Sequence, residues 1–340
     1  SAVAILPEGM SRERFQWLEA IGTDEIIATP GTESNVKEIY DKCWQLRGER
    51  GTEIVVFNQF EEFGNAIWHY QVTGSFIEGV FRNHYSDGRR LSGYVSATGS
   101  AGTIAAGDYL RTHHPDVRVV AAEALQCPTL LEFGFGDHRI EGIGDKHIPW
   151  IHNVRNTNLV AAIDDEQTMQ LMRLFNEEAG HECLRREGVD EKLLDSLHLV
   201  GLSGLCNLVA SIKTARYYDM DSRDVIFTPL TDAMDLYASR IQEATAAHGP
   251  YTSRLADQHY ARHLQGITTD HLRELTYSDQ KALHNFKYFT WVEQQGRTPD
   301  ELRQLWDQDF WQQVFSQEVV DEWDRLIDNF NEATGLTDNE

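Results

Sequence analysis

Residues 91–122 constrain the fold more than any other part of the chain. A strand-like run, Leu91–Ser96, leads into Ser96-Ala97-Thr98-Gly99-Ser100-Ala101-Gly102-Thr103-Ile104, a turn built from small and hydroxyl-bearing residues. A helical pattern covers 103–113, and a second strand-like run follows at Val117–Ala122. Two neighbouring strands joined through a helix run parallel, since an antiparallel pair closes with a short hairpin and a parallel pair needs a crossover. The segment therefore predicts a parallel sheet covered by helices, with a small-residue turn at the carboxyl end of a strand.

The same alternation extends along most of the chain. Strands are predicted at 2–6, 24–28, 53–57, 160–163 and 224–228, and helices at 11–20, 34–47, 75–83, 165–179, 204–217 and 232–246. Strands interleaved with helices favour an α/β class. From about 247 the texture changes to amphipathic helical segments at 278–294, 299–307 and 316–332, rich in Trp, Gln, Asp and Glu. Residues 1–75, 76–246 and 247–340 are accordingly read as a smaller lobe, a larger α/β lobe and a helical extension.

Charge and cysteine usage narrow the function. The 340 residues carry 30 Lys+Arg against 54 Asp+Glu, a formal charge of −24. That balance argues against a nucleic-acid or anionic-membrane partner, because phosphate backbones are bound by clustered cations. No stretch has the length and apolarity of a membrane span. Cys43, Cys127, Cys183 and Cys206 form no C-x-x-C pair and lack histidines at zinc spacing, so they read as free thiols in a reducing cytoplasm. His259 and His263 stand four apart, a metal-compatible spacing, but no third ligand accompanies them. They read as surface histidines, as do His113, His114, His147 and His152, and no metal is expected. The chain starts with Ser1 and runs at once into Ala2-Val3-Ala4-Ile5-Leu6. This reads as a strand entered without a lead-in, as if the sequence began inside a domain.

Chemistry points to the turn 96–104. Small residues let a backbone wrap an anion, and the following helix aims its positive end at it. No G-K-[ST] follows, so the turn is not a P-loop. A dinucleotide reading would use Glu123 as the ribose-binding acid, but the full G-x-G-x-x-G is missing and the hydroxyls suit a phosphate monoester better. A tight strand-to-helix turn would also demand small residues.

Further segments align with this one. Pro7-Glu8-Gly9-Met10-Ser11, Asn58-Gln59-Phe60 with His69-Tyr70 and Thr73-Gly74, Gly99-Ser100-Ala101-Gly102-Thr103, Val119-Val120-Ala121-Ala122-Glu123, Gly142-Ile143-Gly144, Gly201-Leu202-Ser203 and the strand ending at Pro229 occur in that order. Together they resemble the motifs of the cysteine synthase/cystathionine β-synthase family, fold-type II pyridoxal-phosphate enzymes, over residues 2–240. The resemblance implies a three-layer α/β/α, two-lobed tryptophan synthase β-like fold, lacking its N-terminal part and followed by the extension. It also implies pyridoxal 5'-phosphate as cofactor, a small amino-acid substrate, β-replacement or β-elimination, and a homodimer. Gly99, Ser100, Ala101, Gly102 and Thr103 would hold the cofactor phosphate, and Ser203 the pyridine nitrogen. Gln59 would meet the substrate carboxylate, and Gly142, Ile143 and Gly144 would line the substrate side.

The family's S-x-K-D-R lysine and T-S-G-N-T loop occur nowhere in the chain. Lys37, Lys42 and Lys213 fall on predicted helices as solvated residues, Lys192 in an acidic loop, and Lys281 and Lys287 in the extension. Lys146 follows the 142–144 turn but does not match the family's lysine. No catalytic residue is therefore assigned: the Schiff-base lysine is absent. The expectation is a sequence truncated ahead of Ser1 and inactive as it stands. The alternative is a lysine-free relative with a binding or regulatory role. Ala101 in place of a glycine, Leu205 and Cys206 after the serine turn, and Leu230-Thr231-Asp232 in place of D-S-G depart from the family pattern.

Overall fold

A computed structural model describes residues 1–335. Five strands form the larger sheet in the order β6-β3-β4-β5-β7: β3 (Arg90–Ala97), β4 (Arg118–Ala124), β5 (Leu159–Ile163), β6 (Asp224–Phe227) and β7 (Leu272–Glu274). A separate two-stranded parallel sheet pairs β1 (Val3–Pro7) with β2 (Glu25–Thr29). In the larger sheet β6, β3, β4 and β5 are parallel, and β7 joins antiparallel to β5.

The burial follows from the sequence of the strands. From Val119 to Ala124, β4 is buried at every position, which fits a central strand covered on both faces. One core cluster joins Val95, Val120 and Leu159 to Leu171, Met172, Leu202 and Val209, bringing in the helices Asp165–Asn176 and Leu202–Tyr217. A second joins Tyr94, Val119 and Val160 to Ile104, Leu110, Ile77 and Phe81, bringing in Ala105–His113 and Ser75–His84. The two clusters are the two helical layers of a three-layer α/β/α stack.

The segment beyond 247 corrects the sequence reading in one respect and explains another. Among the described residues its regular elements are helices apart from β7, which completes the edge of the larger sheet. Two of its tryptophans, Trp291 and Trp311, are buried with Tyr40, Phe60, Ile67 and Trp150 in a third, aromatic cluster, while Trp323 is exposed. Lys287, read as an ordinary extension residue, is buried and donates to the carbonyls of Trp150 (2.8 Å) and His152 (2.7 Å). Lys213, read as solvated, is buried against Asp270. His147, His152 and His263 are buried, not on the surface; His263 meets Gln170 at 2.5 Å and His147 meets the Tyr40 hydroxyl at 2.9 Å. Burial drives the His147 and His152 imidazoles down to about 3, so both are neutral.

The strand expected at 53–57 does not form. Gly51–Glu53 makes a helical turn and residues 54–57 pair with no strand, leaving Val55 and Phe57 exposed. The β-branched run has the propensity, but strand formation needs a neighbour to pair with. Among the described residues, no helix is long and apolar enough to cross a membrane.

Asp108, on the helix that follows the small-residue turn, supplies a pH test. It is buried against the side-chain amides of Asn153 and Asn156, and burial pushes its carboxyl up to about 7. The folded protein keeps this proton where the unfolded chain has lost it. The stabilisation is therefore full below the unfolded value, about 4, and is lost as pH rises through about 7. In thermal melts, wild type should lose stability relative to Asp108→Asn between those values; a constant difference would contradict this assignment.

Candidate cofactor site

The turn expected to bind phosphate sits at the carboxyl end of β3. There the strand order switches: β4 lies on one side of β3 and β6 on the other. Crevices at such switch points are where open α/β sheets bind ligands. A cleft of about 230 Å³ opens there, lined by Gln59, Asn65, His69, Ala97, Gly99, Ser100, Ala101, Thr103, Gly142, Ile143, Ser203, Asn207, Pro229 and Thr231. None of these carries a formal charge apart from what His69 can take up, and burial lowers that imidazole.

The turn is fixed from several directions. Thr98 donates its N–H to the Ala122 carbonyl (2.9 Å) and accepts from the Gly144 N–H (2.7 Å). Thr103 is held from below, its hydroxyl 2.7 Å from Ser96 Oγ and its carbonyl accepting from Tyr94 OH (2.8 Å). Asn65 donates to Ser100 Oγ and to the Gln59 carbonyl, both at 3.0 Å. Two glycines are required by close approach: a Cβ on Gly99 would lie 2.7 Å from the Gly142 carbonyl oxygen, and one on Gly102 would lie 2.0 Å from Asn65 Oδ1. Between them Ala101 adopts φ +64°, a left-handed conformation that costs a non-glycine residue about 1 kcal/mol or more.

This geometry leaves a row of donors unused. Among the described residues, the backbone amides of 99–104 have no hydrogen-bond acceptor. They lie at the start of the helix Ala105–His113, where amides point along the axis and the dipole is positive. A run of free amides at a helix start, with Ser100 and Thr103 hydroxyls in the same turn, fits an oxyanion such as a phosphate monoester.

The opposite wall is built from the helix Leu202–Tyr217. Ser203, in its first turn, is buried, with its hydroxyl 3.0 Å from that of Thr231. One turn later Asn207 accepts from the Ala97 N–H (2.7 Å) and donates to the Pro229 carbonyl (2.9 Å). One buried amide thus ties the ends of β3 and β6 to the serine turn.

Of the residues singled out from sequence, Gln59, Gly99, Ser100, Ala101, Thr103, Gly142, Ile143 and Ser203 line one cleft. Gly102 and Gly144 do not line it. Gly102 faces Asn65, and Gly144 is bound between Thr98 and the His138 ring (2.7 Å). Glu123 accepts the amides of Leu130 and Leu131, both 2.8 Å, and holds a loop. Asn65, His69, Asn207 and Thr231 were not assigned roles. His69 and Thr231 stood inside quoted segments; for Asn65 and Asn207 the only signal was their spacing from Gln59 and Ser203. Lysines do not contribute. None of the seven lines the cleft, and Lys146 pairs with Asp137 at 3.0 Å.

A switch-point cleft beside a run of unpaired amides in an α/β fold has the chemistry to fit an anion. Sequence and fold comparisons take this further. The chain is 29% identical to the cysteine synthase of Staphylococcus aureus (strain N315) over 180 residues, 53% of this chain and 55% of that one. It is 27% identical to cysteine synthase B of Campylobacter jejuni over 238 residues, 70% of each. The chain thus spans about half the length of the first of these relatives. Among solved structures, a hydrogen sulfide-producing enzyme from Fusobacterium nucleatum superposes with TM-score 0.57 at 20% identity, covering 76% of this chain and 69% of that one. An O-acetylserine-dependent cystathionine β-synthase from Helicobacter pylori gives 0.55 at 24%, covering 70% and 68%. No protein-family model matches the chain. The fold is tryptophan synthase β-like, and the chain is a relative of the cysteine synthase/cystathionine β-synthase family of fold-type II enzymes.

Asn207 carries the structural test. Asn207→Ala leaves the Ala97 N–H and the Pro229 carbonyl without partners, at about 1–3 kcal/mol for each buried group left unpaired. Urea denaturation should therefore show a loss of about 2–5 kcal/mol; a loss under about 0.5 kcal/mol would mean that the site is not pinned there.

Proposed function

We propose that the chain is the cofactor-binding part of a pyridoxal-phosphate-dependent enzyme that carries out β-replacement or β-elimination on a small amino acid, such as a serine or cysteine derivative. The observation that carries this reading is the row of unpaired amides at 99–104, in a turn that borders an uncharged cleft. The family's cofactor supplies an electron sink for carbanion chemistry at the amino acid.

The residues present fit that cofactor. The amides of 99–104, with the Ser100 and Thr103 hydroxyls, would hold its phosphate, and the helix start adds its positive end. Ser203, with Thr231 beside it, would offer the pyridine nitrogen a neutral hydroxyl, leaving that nitrogen unprotonated. Gln59 would contact the substrate carboxylate, and the Gly142–Gly144 turn would line the substrate side. The amine that transfers the α-proton has no counterpart among the lining residues. In this reading it comes from a lysine outside the chain, and the chain alone is inactive. The homodimer and the cytoplasmic location implied by the family belong to the same proposal; the four unpaired cysteines are compatible with a reducing compartment.

One observation favours a second reading. Because none of the seven lysines lines the cleft, a lysine-free binding or regulatory subunit also accounts for the site. The two differ upstream of Ser1: a lysine in an S-x-K-D-R-like context in the same reading frame supports the enzyme, and a start codon directly upstream supports the subunit.

Cofactor binding is testable on the chain itself. Titration with pyridoxal phosphate, followed by tryptophan fluorescence, should show reversible binding. Borohydride should fix no cofactor to any lysine. Thr103→Ala should weaken binding about tenfold or more, the effect of losing one hydrogen bond to a charged group. Absence of binding, or a covalently labelled lysine, would overturn the proposal.

A further inference from the structure

A second polar pocket, of about 210 Å³, lies where the segment beyond 247 meets the larger sheet. One wall is formed by Leu125, Ala162 and Asp164, at or next to the carboxyl ends of β4 and β5, with Lys213 of the helix Leu202–Tyr217. The other wall comes from the run between Arg262 and His271, which leads into β7. The pocket shares no lining residue with the cofactor cleft. Ser203 and Lys213 stand on the same helix, about 15 Å apart along its axis.

The outer wall is tied firmly to the inner one. Lys213 is buried and donates to the carbonyl (2.8 Å) and the carboxylate of Asp270. Arg216 donates to the carbonyls of Gln265 (3.0 Å) and Ile267. The Ala162 N–H donates to the His271 carbonyl (3.0 Å). Two backbone irregularities fall in this run. Ala261–Gln265 winds as a π-helix, with the Gly266 N–H reaching back to the Ala261 carbonyl (2.8 Å). His271 adopts φ +54°. Single π turns and left-handed non-glycine residues recur at functional sites.

The charges of the lining divide into a used pair and an unused pair. Lys213 and Asp270 are joined to each other, and that hydrogen bond holds the Asp270 carboxyl below its usual range. Burial lowers the His263 imidazole to about 4, leaving a neutral ring against Gln170. Asp164 caps the helix Asp165–Asn176, and its Oδ1 accepts from the Gln126 side chain (2.8 Å) and the Glu166 N–H (3.1 Å). Among the described residues, Asp164 Oδ2 has no hydrogen-bond partner, and the Arg262 guanidinium has none either. Nor is any group of His, Cys, Asp or Glu among them arranged to hold a metal ion. A carboxylate oxygen and a guanidinium left unpaired in one pocket suit a ligand that carries both an ammonium and a carboxylate. Leu125, Ala162 and Ile267 add apolar surface, and Thr268 adds a hydroxyl.

We propose that this pocket binds a free amino acid as a zwitterion, its ammonium on Asp164 and its carboxylate on Arg262. A small apolar or hydroxyl-bearing side chain packs against Leu125, Ile267 and Thr268. The site is separate from the cofactor cleft and does not rest on the proposed function. It gives the segment beyond 247 a part in ligand binding, because residues 262–271 form the outer wall.

Amide chemical shifts of the isotopically labelled chain test this, in titrations with L-serine, L-cysteine and L-valine without pyridoxal phosphate. At least one of the three should give saturable shifts at Leu125, Gln167 and residues 262–271. The N-acetyl and amide derivatives of that amino acid, each lacking one charge, should bind at least about tenfold more weakly. Arg262 is exposed, so Arg262→Gln leaves the fold intact. It should weaken the amino acid about tenfold or more and leave its amide derivative unaffected. Asp164→Asn keeps a capping oxygen; it should weaken the amino acid to a similar degree and leave the N-acetyl derivative unaffected. No saturable shift with any of the three overturns the site. So do equal affinities for the charged and blocked forms, variants without effect, or shifts confined to the cofactor cleft. Shifts at 262–271 in a chain whose 99–104 amides ignore pyridoxal phosphate sink the proposed function alone; the converse sinks this site alone.

Discussion

The site depends on one constraint, a turn that cannot satisfy its own backbone. Residues 99–104 are held so firmly from outside that their amides have nowhere to donate. Asn207 pins the end of β3 to β6, Asn65 holds Ser100, and Gly144 and Ala122 hold Thr98. The contacts that stabilise the turn therefore use side chains and flanking carbonyls, leaving its own N–H groups without an acceptor. Unpaired amides are costly when shielded from water, and an anion is the partner that answers them at a helix start.

That arrangement also explains the neutrality of the cleft. Dipoles and hydroxyls line it, while Glu33, Glu141 and Asp232 gather around Arg14, none of them among its lining residues. Glu141 spans the two regions, accepting from the Ser11 amide at 3.0 Å and from Arg240 while it precedes the glycine turn in sequence. The Pro7–Ser11 segment and the Gly142–Gly144 turn, far apart in the chain, are thereby held together. The aromatic cluster plays a similar part at larger scale. Trp291 donates to the Ile148 carbonyl (2.8 Å) and packs against Tyr40 and Trp150, so the helices beyond 247 bind directly to residues far apart in the chain.

What could be read from the sequence was what local chemistry dictates. The β3–turn–helix–β4 unit was legible because strand runs, small residues and a helical period adjoin one another, and it formed where expected. The ordered motifs led to the family, and three of them, Pro7–Ser11, Gly99–Thr103 and Gly201–Ser203, stand at a strand end or helix start, where backbone shape limits residue choice. Other features depend on partners distant in sequence. Residues 53–57 have strand composition but no neighbouring strand. Lys287, Lys213 and His263 look like surface residues until Trp150, Asp270 and Gln170 are brought to them. β7 has three residues and owes its existence to the free edge of β5. Asn207 carries no motif of its own, yet the cleft depends on it.

The central claim is that the amides of 99–104 form a cradle for the phosphate of pyridoxal phosphate. The most direct measurement is the backbone amide chemical shifts of the isotopically labelled chain, recorded with pyridoxal phosphate and with pyridoxal lacking the phosphate. The account predicts large shifts at Gly99–Ile104 with the phosphorylated compound and little change there with the other. Equal responses to the two compounds, or shifts confined to other parts of the chain, would contradict it.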